Sequence, residues 1–215
     1  MGEVVKLYKS PINWYGGKYY QAKDIIGVFP RHKIYCEVFG GAGHILFRKK
    51  PSDVDIYNDI HSGLYLFFKV LRDQDMSDKL ITQIQLTPYS REEFDKSKDW
   101  MYEEDIIERV RKFYVMTMQS IGGMGGGWSY TKSNSRRGMS QAVSRWLGNV
   151  DENMINLIER LREIQIENLD FRDCIKKYDK KDTLFYLDPP YIHETRKTKK
   201  NYVYEMSNED HKDLV

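Results

Sequence analysis

The sequence is short of the residues that staple or anchor a chain. It has two cysteines, Cys36 and Cys174, with no CxxC or histidine-rich spacing around either. That argues against a disulfide framework or a zinc site and fits a reducing cytoplasm. No apolar run approaches the ~20 residues a membrane span needs, and Met1 to Lys9 lack the apolar core of a signal peptide. The expectation is a cytoplasmic protein without metal or membrane partner. Charge of neither sign dominates, and a net charge of +2 names no partner by itself. A local shortage says more. Between Glu108 and Asp151 there is no Asp or Glu, while Arg109, Arg111, Lys112, Lys132, Arg136, Arg137 and Arg145 all fall there. A second basic run is Arg196, Lys197, Lys199 and Lys200. Two such segments point to a polyanionic partner.

Between them lies Leu184-Phe185-Tyr186-Leu187-Asp188-Pro189-Pro190-Tyr191. Its apolar half has the composition of a parallel strand buried on both faces. The two prolines end it, each fixing φ and removing a backbone donor. A carboxylate, bare carbonyls and an aromatic face are thus presented at the carboxyl end of a strand, where open α/β sheets bind ligands.

In chain order, Trp14-Tyr15-Gly16-Gly17-Lys18 reads as a tight turn flanked by an aromatic ring and a cation. Residues 33–39 read as a strand, and Gly40-Gly41-Ala42-Gly43 leads from it into an apolar helical segment, His44 to Arg48. A strand, glycine turn and helix start bring backbone N–H groups near a ligand. The spacing Phe-x-Gly-x-Gly disfavours a dinucleotide pyrophosphate and leaves room for a nucleoside. Residues 53–59 form a second strand ending in Asp59, which reads either as a ribose acceptor or as the N-cap of the helix behind it, about Ile60 to Leu71. Ser90 and Glu93 have capping-box spacing, and Ile106, Val110, Phe113, Thr117 and Ile121 make one helical stripe. Gly122 to Gly127 then break the helix. The aperiodic stretch that follows carries Trp128 and Tyr130 for stacking or wedging, Lys132, Arg136 and Arg137 for phosphates, and Ser133 and Asn134 for base edges. A helix from Asp151, a strand near 164–169, a helix around 171–178 and a capped helix start at Ser207 complete the outline.

Four of these features, in order, resemble the Dam-like α group of S-adenosylmethionine-dependent DNA adenine amino-methyltransferases: Trp14-x-Gly-Gly-Lys18, Phe39-x-Gly-x-Gly43, Asp59, and Asp188-Pro-Pro-Tyr191. The resemblance covers residues 10 to 215 and implies an α/β fold, a Rossmann-like class I methyltransferase sheet with helices on both faces and a small inserted DNA-recognition lobe. It implies that Trp14, Gly17 and Lys18 contact the methionyl part of S-adenosylmethionine, that Phe39, Gly41 and Gly43 line its site, and that Asp59 binds the ribose. Asp170 and Phe171 would flank its adenine. Asp188, which also borders the cofactor, and the Pro189 carbonyl would accept the hydrogens of the target amino group. Pro190 would stiffen the turn, and Tyr191 would stack on a base flipped out of double-stranded DNA. Trp128, Tyr130, Lys132, Asn134, Arg136, Arg137, Arg196 and Lys197 would contact the DNA.

This resemblance divides the chain into cofactor-binding residues 1–75, a helical insertion and recognition segment 76–150, and a catalytic part 151–215. Val38 stands where the family usually has proline. Only four strand segments are read where the family's sheet has about seven, so the sheet is expected to be C-terminally incomplete, with a second chain or a further segment completing it. A cytosine amino-methyltransferase using the same chemistry, an RNA or protein-amide methylase, and an inactive DNA-binding remnant are the alternatives.

Overall fold

A computed structural model describes residues 8–191 and 204–215. In chain order its elements are α1 (Ala22–Gly27), β1 (Ile34–Glu37), β2 (Val54–Asn58), α2 (Ser62–Arg72), α3 (Gln74–Leu86), α4 (Arg91–Lys96), α5 (Ile106–Met118), β3 (Ser135–Arg136), β4 (Met139–Ser140), α6 (Gln141–Gly148), α7 (Ile155–Leu161), β5 (Ile164–Glu167), α8 (Phe171–Tyr178), β6 (Thr183–Tyr186) and α9 (Asn208–Asp213). Among the described residues no helix is long and apolar enough to cross a membrane.

The main sheet is parallel with the order β5-β2-β1-β6. Ranked by chain position its strands run 3-2-1-4, as in the first half of a doubly wound sheet, and the order reverses between β1 and β6. Pairing of Glu37 with both Tyr57 and Tyr186 keeps the carboxyl ends of β2, β1 and β6 level. Every ligand-bearing turn therefore opens on the same edge.

Strand alternation divides the core in two. Tyr35, Tyr57 and Ile164 face one side, where they join Leu64, Phe67, Phe68, Ile84, Phe113 and Leu157 from α2, α3, α5 and α7. Cys36, Val38 and Ile56 face the other side and pack on Phe171 and Cys174 of α8 and on Met206. Each fully buried Leu or Phe contributes about 1.5–3 kcal/mol. Helices thus cover both faces, as the α/β reading expected, and α3 and α5 share the main core with α2. Cys36 and Cys174, isolated in sequence, are neighbours across this layer with sulfurs 3.7 Å apart, both as free thiols.

Several local expectations change. β6 is half-buried along its length instead of enclosed on both faces, and Leu187 is exposed, because β6 is an edge strand with β1 as its one partner among the described residues. His44 to Arg48 form hydrogen-bonded turns, Phe47 N–H to Gly43 and Lys49 N–H to Ile45, and no regular helix. The capping box at Ser90 does not form. Its own N–H is taken by Gln119 and Glu93 pairs instead with Arg111. α5 ends at Met118, so Ile121 falls beyond the stripe and is exposed. α9 starts as read, Ser207 with Asp210 forming a complete capping box, and Asp170, read only beside the cofactor adenine, also caps α8.

One buried ionic cluster underlies the sheet. Asp55 of β2 forms an ion pair with Lys49 at 2.6 Å and accepts from Arg160 of α7, and all three side chains are almost wholly buried. Removing one member of such a set strands the others in low dielectric. Asp55→Ala is expected to destabilise the fold by about 3–5 kcal/mol in equilibrium urea unfolding; a loss no larger than that of an exposed substitution would contradict this role.

Candidate functional site

The cleft lies outside the carboxyl ends of β1, β2 and β6, where the sheet order reverses. Its lining includes Trp14 to Lys18, Glu37 to Ala42, Asn58 to His61, Leu169 to Phe171, Asp188 and Pro190. The structure therefore gathers Trp14, Gly17, Lys18, Phe39, Gly41, Asp59, Asp170, Phe171 and Asp188 around one space. Gly43 is not part of this lining, though its neighbours Ala42 and His44 are, and Pro189 sits half-buried between two lining residues.

The glycine turn is built by steric necessity. Gly41 and Gly43 have φ of 50° and 68°, in the left-handed region that a side chain disfavours. A Cβ on Gly41 would come within 2.9 Å of the Trp14 indole, and one on Gly43 within 2.5 Å of Phe47. Asp59 holds the turn in place: Oδ2 accepts from the Gly41 N–H at 2.7 Å, and Oδ1 accepts from the His61 N–H at 2.8 Å. Burial raises the Asp59 carboxyl to about 6, although those two N–H groups favour its charged form. The N-cap of α2 is His61, whose ring nitrogen accepts from Gly63, and not Asp59.

Neighbouring residues carry weight that no motif announced. Asn58 donates to the Val38 and Leu169 carbonyls and accepts from the Leu169 N–H, which ties the ends of β1, β2 and β5 together. Glu37 is buried beneath the turn and accepts from the Tyr35 hydroxyl and the Leu46 N–H, each at 2.8 Å. Burial is the main cause that lifts its carboxyl to about 8, and the charge of Asp188 adds to it. His44, which borders the cleft beside Gly17, has a buried Nδ1 without a hydrogen-bond partner among the described residues, and burial lowers it to about 4. Alternation could have placed Glu37 on the Tyr35 face; nothing in the sequence marks Asn58 or His44.

At the other end of the cleft, Lys18 donates to the Gly16 carbonyl at 2.9 Å and to Asp188 Oδ2 at 2.5 Å. Its ammonium lies 5.7 Å from the centre of the Tyr191 ring, which is half exposed. Tyr191, Lys18 and Gly122 border a second, shallower hollow adjoining the first. The arrangement can fix a small amphipathic ligand in the main cleft and present a carboxylate oxygen, Oδ1, and an aromatic face to a second planar group.

The glycine loop meets this site directly. Gly123 has φ of 79°, and its α-carbon lies so close to the Asn13 carbonyl that a Cβ would collide with it. Past the loop, Trp128 is half-buried: its indole N–H points to Gln119, its ring stacks on Tyr130 at 5.9 Å, and the Arg91 guanidinium lies 4.7 Å above it. Tyr130 is the exposed ring of the pair, with Lys132 5.7 Å from its centre. The following stretch, read as aperiodic, is a β3–β4 hairpin whose two-residue turn, Arg137-Gly138, has φ of 54° and 75°. Both values suit a type I′ turn. Lys132 and Asn134 just before it and Arg136 and Arg137 on it are all exposed. Arg196 and Lys197 lie outside the described residues.

Comparison with known proteins agrees with this geometry. The family model described as D12 class N6 adenine-specific DNA methyltransferase matches residues 14–214. Modification methylase StsI of Streptococcus sanguinis is 23% identical over 203 residues, covering 87% of this chain and 29% of that protein. The chain thus spans less than a third of the length of that relative.

The buried Glu37 gives a test of the electrostatics. Because its pKa is raised from 4.5 to about 8 in the folded protein, keeping it ionised costs stability, and the cost builds as pH climbs between those values. Glu37→Gln should therefore gain melting temperature relative to the unsubstituted protein as pH rises toward 8, and a pH-independent difference would refute the assignment.

Proposed function

Since the chain belongs to the D12 class N6 adenine-specific DNA methyltransferase family, we propose that its cleft transfers a methyl group from S-adenosylmethionine to the exocyclic amino group of an adenine turned out of double-stranded DNA. When bound, that cofactor supplies an activated methyl on a sulfonium. The residues present fit it. Gly41 leaves room beside Trp14 that a side chain would fill, Asp59 offers a carboxylate to ribose hydroxyls, and Asp170, Phe171 and Leu169 give the adenine a polar edge and an apolar wall. Trp14, Gly17 and Lys18 take the methionyl end, with Phe39 and Gly43 shaping the floor.

An exocyclic amino nitrogen is a poor nucleophile because its lone pair is delocalised into the ring. Two acceptors on its hydrogens favour a pyramidal nitrogen and free that pair for in-line attack. Asp188 Oδ1 and the Pro189 carbonyl are those acceptors. Lys18 holds Oδ2 and so orients the carboxylate. Pro190 fixes the turn, and Tyr191 provides the face on which the extruded base stacks. The observation that carries this reading is the joining of Asp59 and Asp188 in one cleft across the reversal of the sheet.

The recognition role falls to residues 76–150. Tyr130, Lys132, Asn134, Arg136 and Arg137 form the exposed face toward DNA, with Arg196 and Lys197 adding charge beyond Tyr191, and Trp128 supports Tyr130 from behind. Residues 1–75 and 151–215 then bind cofactor and carry the catalytic turn.

Incubation with duplex DNA and radiolabelled S-adenosylmethionine, followed by nucleoside analysis, should yield N6-methyladenine. Asp188→Ala should lower turnover by about 10²–10³-fold while cofactor binding persists; label found only on cytosine, or turnover intact in the variant, would overturn the proposal.

Asp59 sets a pH dependence. Its carboxyl titrates near 6 in the ligand-free fold, and the ionised form accepts the ribose hydroxyls. Cofactor affinity measured by calorimetry should be flat above about pH 6 and fall about tenfold per pH unit below it, and Asp59→Asn should abolish that slope.

A further inference from the structure

The nucleoside end of the cleft has an outer wall that none of the sequence motifs contains. Resting on the methyl-donor reading above, we propose that Tyr204 and Met206 are that wall, with the Tyr204 ring packing on the nucleoside of the cofactor and Arg172 acting as the positioning residue that holds the segment there.

Tyr204, Met206 and Asp210 line the same cleft as Asp59, Asp170 and Phe171. Met206 anchors the segment. It is 7% exposed and packs among Cys36, Val38, Phe171 and Cys174, on the face of the sheet opposite the helical core. Tyr204 is 43% exposed and meets the His61 ring edge-on, with centres 5.5 Å apart. His61 follows Asp59 by two residues and donates its N–H to that carboxylate. The tyrosine ring therefore packs on the residue whose N–H holds the acid assigned to the ribose. A half-exposed phenol ring bordering a cleft offers a flat apolar face that stacks on a base or sugar.

Arg172 connects this wall to the Asp170–Phe171 part of the lining. Its guanidinium lies 4.3 Å above the Phe171 ring, and it donates to Asp210 at 2.6 Å and to Asp213 at 2.6 and 3.0 Å, with Asp170 at 3.4 Å. One side chain thus joins the cap of α8 to the first and last turns of α9. Ser207 starts α9 with a capping box on Asp210, so the direction in which Tyr204 leaves the helix is set by the same carboxylate that Arg172 grips. These pairs are exposed, so each is weak alone and screened by salt. That makes the clasp adjustable: strong enough to bias the wall toward the cleft, weak enough to release it.

The test is calorimetry of the full chain with S-adenosylhomocysteine, together with steady-state kinetics. Tyr204→Ala should weaken binding by about tenfold or more, and Tyr204→Phe should restore it. Arg172→Ala should weaken binding about threefold at low salt, a gap that closes as salt is raised. In both Tyr204→Ala and Arg172→Ala the KM for the cofactor should rise by more than kcat falls, with the ligand-free melting temperature unchanged. Undiminished binding by Tyr204→Ala, or an effect confined to the KM for DNA, would overturn the inference and assign the ring to the target base. If the unsubstituted chain binds and Asp59→Ala does not, yet the Tyr204 and Arg172 variants bind normally, this inference falls and the reading of the site stands. If the unsubstituted chain does not bind, the reading fails and takes the inference with it.

Discussion

The carboxylate of Asp59 is largely committed to the protein's own backbone. It accepts one N–H from the glycine turn after β1 and one from the start of α2, so a single side chain sets the distance between two segments that would otherwise move independently. Hydrogen bonds to a charged acceptor are worth about 1.5–3 kcal/mol each, set against the cost of enclosing the charge. The raised pKa records how closely those terms compete. Asn58, one residue earlier, does the same for the ends of three strands with an uncharged amide. These bonds brace the cleft from within the protein, which lowers the ordering cost left to a ligand.

The second organising contact spans 170 residues. Lys18 reaches from the turn before α1 to the carboxylate that follows β6, and the Gly123 backbone presses on the residue just before that turn. The glycine loop, the lysine turn and the acid thus form one contiguous stack. A shift in the loop that leads to the exposed hairpin has a short physical path to Asp188, through backbone packed too tightly for a side chain.

Much of this was legible in the sequence. Glycines at 41 and 43, acids at strand ends and a proline pair have local, steric consequences, and the spacing of strands and helices was regular enough to foretell a sheet with both faces covered. What escaped depends on distance in sequence or on context. The Arg137-Gly138 turn lacks the Asn-Gly or Asp-Gly signal of a two-residue hairpin, yet arginine takes a positive φ there. His44 to Arg48 have helical composition, but the turn is drawn tight by Gly43 and Phe47. Ser90 had the right partner three residues on, and Arg111 from another helix claimed it. The proximity of Cys36 to Cys174, the triad around Asp55, the strand-end bonds of Asn58 and the contacts of Arg172 and Tyr204 are tertiary facts with no periodic trace.

The half-covered state of β6 bears on how Asp188 is held. The strand that delivers this carboxylate is paired on one side by β1, and its far side has no strand partner among the described residues. A strand of suitable register laid alongside would meet its backbone groups on that side. Such a neighbour would grip the same four residues whose last one stands two positions before Asp188, and would draw or release the carboxylate relative to Lys18. A polypeptide in that place would act as a lever on the Asp188 carboxylate and on its distance from Lys18.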